Sequence, residues 1–329
     1  AKRIGCRVVV LVVVSFFAAC AGTAAAQDAP DEAALIGVLQ SDAGWQEKDA
    51  ATRALRQKGT AASVPALANL LTDKKLSHSA RYALEPMPYP EAGRALRDAL
   101  GKTDGALKAG MAISLGVRRD VEAVPMLVPL IKDADADIAR TALGALGRIA
   151  NEPAVEALMD FGSAPESLRS AWAEALLAAG EILVKHGNQE QAVGIYRALQ
   201  SKKWPLHVRM GAFRGLAHAQ PGKAPALLLA AMKGKDPAFR DMAAQLVAEF
   251  PGNDLVPVFI EGLDKLPPEG QVALLRGLAG RADKTAGPAA AGLLAASNKE
   301  VKLAAVKALA SLGDGKDAAA LAGLLVSDD

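Results

Sequence analysis

The chain has 329 residues, with 38 Lys and Arg against 36 Asp and Glu and a formal charge of +2. A balance this close to neutral argues against nucleic acid, whose phosphates are held by a surplus of cations. Aromatic residues make up only 4% while Ala and Leu dominate, a composition that favours helices packed closely on one another.

At the N-terminus Lys2, Arg3 and Arg7 precede an uncharged run over 8–19, and Ala24, Ala25 and Ala26 follow it. A basic stretch, a short apolar stretch and small residues are the parts of a secretory signal peptide, and the apolar run is too short for a membrane span. The expected signal peptide is 1–26, cut before Gln27. In the alternative, Phe17-Ala18-Ala19-Cys20 is a lipoprotein signal and the chain is anchored through a lipid on Cys20. Removing 1–26 leaves 35 basic against 36 acidic residues, so the slight excess of positive charge belongs to the leader. Cys6 and Cys20 leave with it. The mature body, 27–329, then has no thiol for a disulfide, a nucleophile or a metal, and is expected in the periplasm or secreted.

From residue 31 onward a two-helix unit recurs at roughly 30-residue spacing, the pattern of an α-solenoid. The first unit predicts helices over 32–39 and 45–58, with Trp45 covering the open end. The second predicts 64–71, with Pro65 in the first turn where a missing N–H costs nothing, and 76–85. Pro86, Pro88 and Pro90 end it and stiffen the link. The third unit takes 91–100 and 105–115. The fourth takes 121–131 and 137–150, where Ile138, Ala142, Leu143, Leu146 and Ile149 make an apolar stripe at steps of three and four. Asp133, Asp135 and Asp137 alternate through its turn, and one of the later two is expected to cap the second helix. The fifth unit takes 153–161 and then a helix over 166–186, longer than its counterparts. The sixth, 189–199 with Tyr196, is closer to a tetratricopeptide unit and is followed by 204–217. The lengthened helix makes residue 187 a candidate division between N-terminal and C-terminal halves of one solenoid. Units seven to nine take 223–232 with 237–250, 254–263 with 268–279, and 285–294 with 300–312. One more first helix is expected over 317–325. The fold class is therefore all-α: a right-handed α-solenoid of about nine and a half helix pairs with a tetratricopeptide-like unit near the middle.

The segments 135–147 and 298–310 share an Asp or Asn, then Ile or Val three residues on, then Ala and an Ala-Leu pair. This motif resembles the HEAT repeat, and the resemblance covers nearly all of the mature chain. The family usually places a basic residue directly after the Ile or Val. Lys108, Arg169, Arg209, Arg240 and Lys302 fill that place, while Ser77, Ala139 and Gln271 do not. The segments 76–88 and 114–120 together with the long middle helix are also similar to a group of secreted HEAT-repeat proteins from planctomycete and verrucomicrobial bacteria. Some of these lie beside or are fused to haem-c and sugar-active domains. That resemblance implies a periplasmic accessory or scaffold protein and no particular site residue.

Chemistry in the chain is sparse. No G-x-S-x-G, P-loop, dinucleotide fingerprint or C-x-x-C-H occurs, and no cofactor is implied. His78, His186, His207 and His218 include no i,i+4 pair, so a metal site is not expected. His78, Arg81, Tyr82 and Glu85 fall on one side of the second unit's second helix. In HEAT arrays the second helices line the concave face, so these four with Arg118 and Arg119 form a candidate partner-binding patch of carboxylate- or anion-binding character. Arg81 and Arg118 are expected to be exposed. The alternative is that these side chains close the turns between units. A second, weaker patch is Trp204, His207 and Arg209, although Trp204 is expected rather to pack the junction between units. Trp172 stands where its counterparts carry a small inward residue and is expected in the core. The function implied is a non-enzymatic, monomeric, protein-binding scaffold outside the cytoplasm. Its alternatives are an accessory module of a secreted enzyme or cytochrome system and, last, an enzyme built on the His/Arg/Tyr/Glu set.

Overall fold

In this computed structural model the described residues are 31–317, apart from 163, 251, 253 and 315. The expected signal peptide, Cys20 and nearly all of the helix expected over 317–325 lie outside them. The described residues form eighteen α-helices and no strand. Nine antiparallel pairs follow in chain order: α1 (Glu32–Gln40) with α2 (Trp45–Lys58), α3 (Val64–Ala68) with α4 (Ser77–Leu84), and α5 (Pro90–Lys102) with α6 (Gly105–Arg118). Next come α7 (Val124–Leu130) with α8 (Ala136–Ile149), α9 (Glu152–Asp160) with α10 (Arg169–Lys185), and α11 (Gln189–Leu199) with α12 (Leu206–Ala219). The last are α13 (Ala224–Lys233) with α14 (Pro237–Glu249), α15 (Val256–Leu263) with α16 (Pro268–Arg281), and α17 (Gly287–Gly292) with α18 (Lys299–Leu312). The whole is an all-α, right-handed solenoid.

Local chemistry explains where the pairs begin and end. Asp135 caps α8 by accepting from the amides of Asp137 and Ile138, and Asn298 caps α18 in the same way. Thr60, Asp120 and Asp283 each accept an amide two residues on, opening a short 3-10 turn that leads into α3, α7 and α17. α3 starts at Val64 as expected but ends early, after 5 residues, whereas such turns take the expected starts of α7 and α17, leaving α17 with 6 residues. The long helix expected over 166–186 is likewise a 3-10 turn at Glu166–Leu168 followed by the 17 residues of α10.

Neighbouring second helices carry most of the stacking, above all α6 on α8, α8 on α10, α14 on α16 and α16 on α18. Small residues permit the approach. A Cβ on Gly116 would lie 2.7 Å from Ala145 Cα, and one on Gly147 would lie 2.5 Å from the Ala175 carbonyl oxygen. These closely stacked second helices form one layer of the solenoid, which corresponds to the inner layer of the sequence expectation. Leucine and alanine fill the space between the layers, and they divide into two clusters. One runs from Leu35 to Ala219 and the other from Phe213 to Leu312, the two meeting within α12. Trp172 is buried at 6%, whereas Trp45 remains 49% exposed at the first pair. No helix among the described residues is long and apolar enough to cross a membrane.

Candidate interaction surface

The four residues at i, i+3, i+4 and i+7 on α4 divide between two environments. His78 and Tyr82 face solvent, their rings stacked 6.4 Å apart. The guanidinium of Arg56 on α2 lies 3.8 Å from the Tyr82 ring centre, and its Nε donates to the Tyr82 carbonyl at 3.2 Å. Arg81 and Glu85 turn inward instead. Arg81 Nη1 donates to the Gly110 carbonyl at 3.0 Å and to Ser114 Oγ at 3.2 Å, and Ser114 Oγ donates to Glu85 Oε1 at 2.8 Å. Gly110 makes room for this, since a Cβ there would lie 2.7 Å from the guanidinium carbon. Burial pulls the Arg81 guanidinium below its ordinary value, with Glu85 opposing the shift.

Arg118 and Arg119 also part. Arg119 is exposed, in the left-handed conformation that ends α6, with φ of 52°. Arg118 is half-buried and reaches back one unit. Its Nη1 donates to the carbonyls of Leu84 at 2.6 Å, Glu85 at 3.1 Å and Met87 at 2.6 Å, and its Nη2 donates to Tyr89 at 3.3 Å. Burial lowers its pKa, Asp120 raises it, and Arg97 lowers it further. The exposure expected of Arg81 and Arg118 is therefore corrected: both side chains join adjacent units. The physical reason is that the turn over 84–90 carries three prolines and is short of amides, so a neighbouring cation serves its carbonyls. The His/Arg/Tyr/Glu set does not converge on one point, which leaves the enzymatic alternative without its constellation.

The second candidate patch divides in the same manner. Trp204 is buried, its Nε1 donating to the Ala198 carbonyl at 3.2 Å and its ring 5.0 Å from that of Trp172. Arg209 is half-buried, 5.6 Å from the Phe239 ring, and only His207 is exposed. Lys203 lies 5.6 Å over Trp204. No group of three or more His, Cys, Asp or Glu able to hold a metal occurs among the described residues.

What the inner layer presents is a register. Gln245, Arg276 and Lys307 stand 31 residues apart at one position of α14, α16 and α18, and two adjoining clefts run between these helices. One, of about 420 Å³, is lined by Leu275, Arg276, Leu303 and Lys307 among others. The other, also about 420 Å³, is lined by Asp241, Gln245, Ala248 and Arg276. Tyr82, Ile113 and Gly144 occupy the same position of α4, α6 and α8, again 31 residues apart. Val117 and Arg148 lie one turn further along α6 and α8. Ile113 is 41% and Val117 45% exposed.

Arg281, Arg97, Ile113 and Val117 were not recognisable as notable from single helices. Arg281 repeats the role of Arg118: its Nη1 donates to the Val247 carbonyl at 3.1 Å and also to that of Phe250. The shared signal is Arg-x-Asp at 118–120 and 281–283, each Asp capping the following turn. Arg97 on α5 then binds Asp120 at 2.5 Å and Glu122 at 2.6 Å.

Comparison with known proteins agrees with this geometry. The HEAT repeats family matches residues 93–178 and 256–329. No curated protein matches the chain. Among solved structures, one of Kap95p with RanGDP is similar over 90% of this chain and 47% of that one, at 13% identity and a TM-score of 0.50. Human deoxyhypusine hydroxylase in complex with glycerol is similar over 79% and 97% at 22% identity, with a TM-score of 0.34. The CpcE and CpcF complex of phycocyanin lyase from Nostoc sp. PCC7120 is similar over 87% and 97% at 16% identity, with a TM-score of 0.32. At such identities the likeness concerns the fold.

Proposed function

As a member of the HEAT-repeat α-solenoid superfamily, the chain is, we propose, a non-enzymatic scaffold that binds a protein partner along its inner layer of second helices. The observation that carries this reading is the inner register. Large apolar side chains, Tyr82, Ile113, Val117 and Leu303, stand 41–52% exposed there, and Leu303 lines one of the two open clefts between α14, α16 and α18. Exposed apolar side chains rimmed by charge are how an extended surface recognises a polypeptide.

The working location in this proposal is outside the cytoplasm, as a monomer and without nucleic acid. It is supported by the basic, apolar and small-residue order of 1–26 and by the absence of cysteine from 27–329. The finer likeness to secreted HEAT-repeat proteins of planctomycete and verrucomicrobial bacteria belongs to the same proposal, as does a role beside a secreted enzyme or cytochrome. Mass spectrometry of the mature N-terminus distinguishes Gln27 from lipidated Cys20, and recovery of the uncut chain in the cytoplasm would overturn the location.

The binding proposal is tested by affinity capture from extracts of the source cells, with the captured protein identified by mass spectrometry. Inner-layer variants Tyr82→Asp and Arg276→Glu are compared with outer-layer variants at Met159 and Val258, which are exposed on first helices. Loss of one and the same protein from the inner variants alone is expected. Equal recovery by all four variants would refute use of the inner layer.

A further inference from the structure

We propose that the second helices of the first four units, α2, α4, α6 and α8, form the docking surface for an acidic amphipathic segment of a protein partner. This names the partner class for the scaffold reading above and rests on it. Two properties mark this half of the inner layer.

The first is charge. In the C-terminal half the inner arginines Arg214 and Arg276 are neutralised within the array: Arg214 pairs with Glu249 at 2.8 Å, and Arg276 pairs with Asp241, while Lys307 stays exposed. In the N-terminal half, Arg53 pairs with Asp49 at 2.8 Å, and Arg140 pairs with Asp137. Glu85 is turned toward Ser114. Three exposed arginines of these four helices then remain with no ion-pair partner among the described residues, Arg119 at the end of α6 being one of them. Arg56 is held over Tyr82, and Arg148 lies on α8. They flank the surface from its two sides.

The second is the apolar ground between them. Tyr82, Ile113 and Val117 are 44%, 41% and 45% exposed, and Gly144 adds no side chain that would interrupt the surface. Apolar side chains between cations fit a segment that alternates apolar and acidic faces, as an amphipathic helix does. They do not fit a polyanion, since each phosphate contacted on a nucleic acid takes its own cation and only three exposed arginines are unpaired here among the described residues. Neighbouring helix axes stand about 8–10 Å apart, so four helices span about 27 Å, the length of about 18 helical residues.

The test uses the full chain and a fluorescein-labelled peptide of about 18 residues with Leu at i, i+3 and i+4 spacing and Glu elsewhere. Companion peptides carry Lys for Glu, or Gln for Leu, and a poly-dT oligonucleotide is the fourth probe. Fluorescence anisotropy is expected to show binding of the Glu/Leu peptide alone. Arg148→Glu and Ile113→Asp should each weaken it at least tenfold with the helical circular dichroism unchanged, and added salt should weaken the wild-type complex. Arg148 has no partner within the array, so its reversal keeps the test clean if Ile113→Asp does not fold. Equal binding of the Lys peptide or of poly-dT, no binding of the Glu/Leu peptide, or indifference to both substitutions would overturn the proposal. Binding lost instead to Arg276→Glu and Lys307→Glu would overturn this site while leaving the scaffold reading intact.

Discussion

Three prolines within 86–90 leave the turn after α4 short of amides, and one guanidinium supplies the missing donors. Hydrogen bonds from a charged donor are worth more than neutral ones, and truncation leaves buried carbonyls unserved. Arg118→Ala is therefore expected to destabilise the chain by about 2–4 kcal/mol in urea titration. Arg118→Lys should recover only part of the loss, because an ammonium lacks the planar fork. An Arg118→Ala variant as stable as wild type would deny the arginine this role. Tyr196 offers a second residue-scale test. Burial, and to a lesser degree Glu181, raises its phenol well above the ordinary 10.0. Above about pH 10 the unfolded chain holds fewer protons at this group than the folded one, so stability must fall as pH rises through that value. The fall in urea midpoint between about pH 9 and pH 11 should be shallower in Tyr196→Phe, with the two chains nearly equal at neutral pH. Parallel profiles would show that Tyr196 does not couple folding to alkaline pH.

At the scale of the element, α8 contains its own control. Gly144 and Gly147 are three residues apart in one helix, yet a Cβ on Gly144 meets nothing within 4 Å while one on Gly147 meets the α10 backbone. Gly144→Ala removes a helix-weakening residue and should stabilise by about 0.5–1 kcal/mol. Gly147→Ala must push α10 away and should destabilise by about 1–3 kcal/mol. Thermal unfolding of both variants checks the pair, and an equal effect would mean that α8 and α10 are not so close. Helix existence was legible here because apolar spacing and caps are local: Asp135 or Asp137 was expected as the cap, and Asp135 is it. The shortening of α7, α17 and α10 by 3-10 turns was less legible. At α7 and α17 those turns form where Asp120 and Asp283 capture amides two residues on, and each competes with a regular first turn.

The whole molecule behaves as a stack in which each pair depends on its neighbours. Its apolar interior divides within α12, where Val208, Ala212 and Leu216 belong to one cluster and Phe213 and Ala217 to the other. Leu246→Ala, deep in the second cluster, should lower hydrogen-exchange protection over 224–312 and leave 64–183 nearly unchanged. A uniform loss of protection would show one cooperative unit. Sequence alone determined the helix pairs, their recurrence and the solenoid class, because a repeat writes its hydrophobic period into every copy. It also placed Trp172 inside. Tertiary structure decided which polar residues are available. Arg81, Glu85, Arg118 and Trp204 read as surface candidates, yet each is drawn into a contact with another element or turn. Ile113 and Val117 carry no distinguishing sequence signal, yet they face outward. Helical spacing ranks residues around one axis, whereas exposure depends on where the next helix sits. That distance was set by Gly110, Gly116 and Gly147, whose missing side chains do not show in a single helix's hydrophobic pattern.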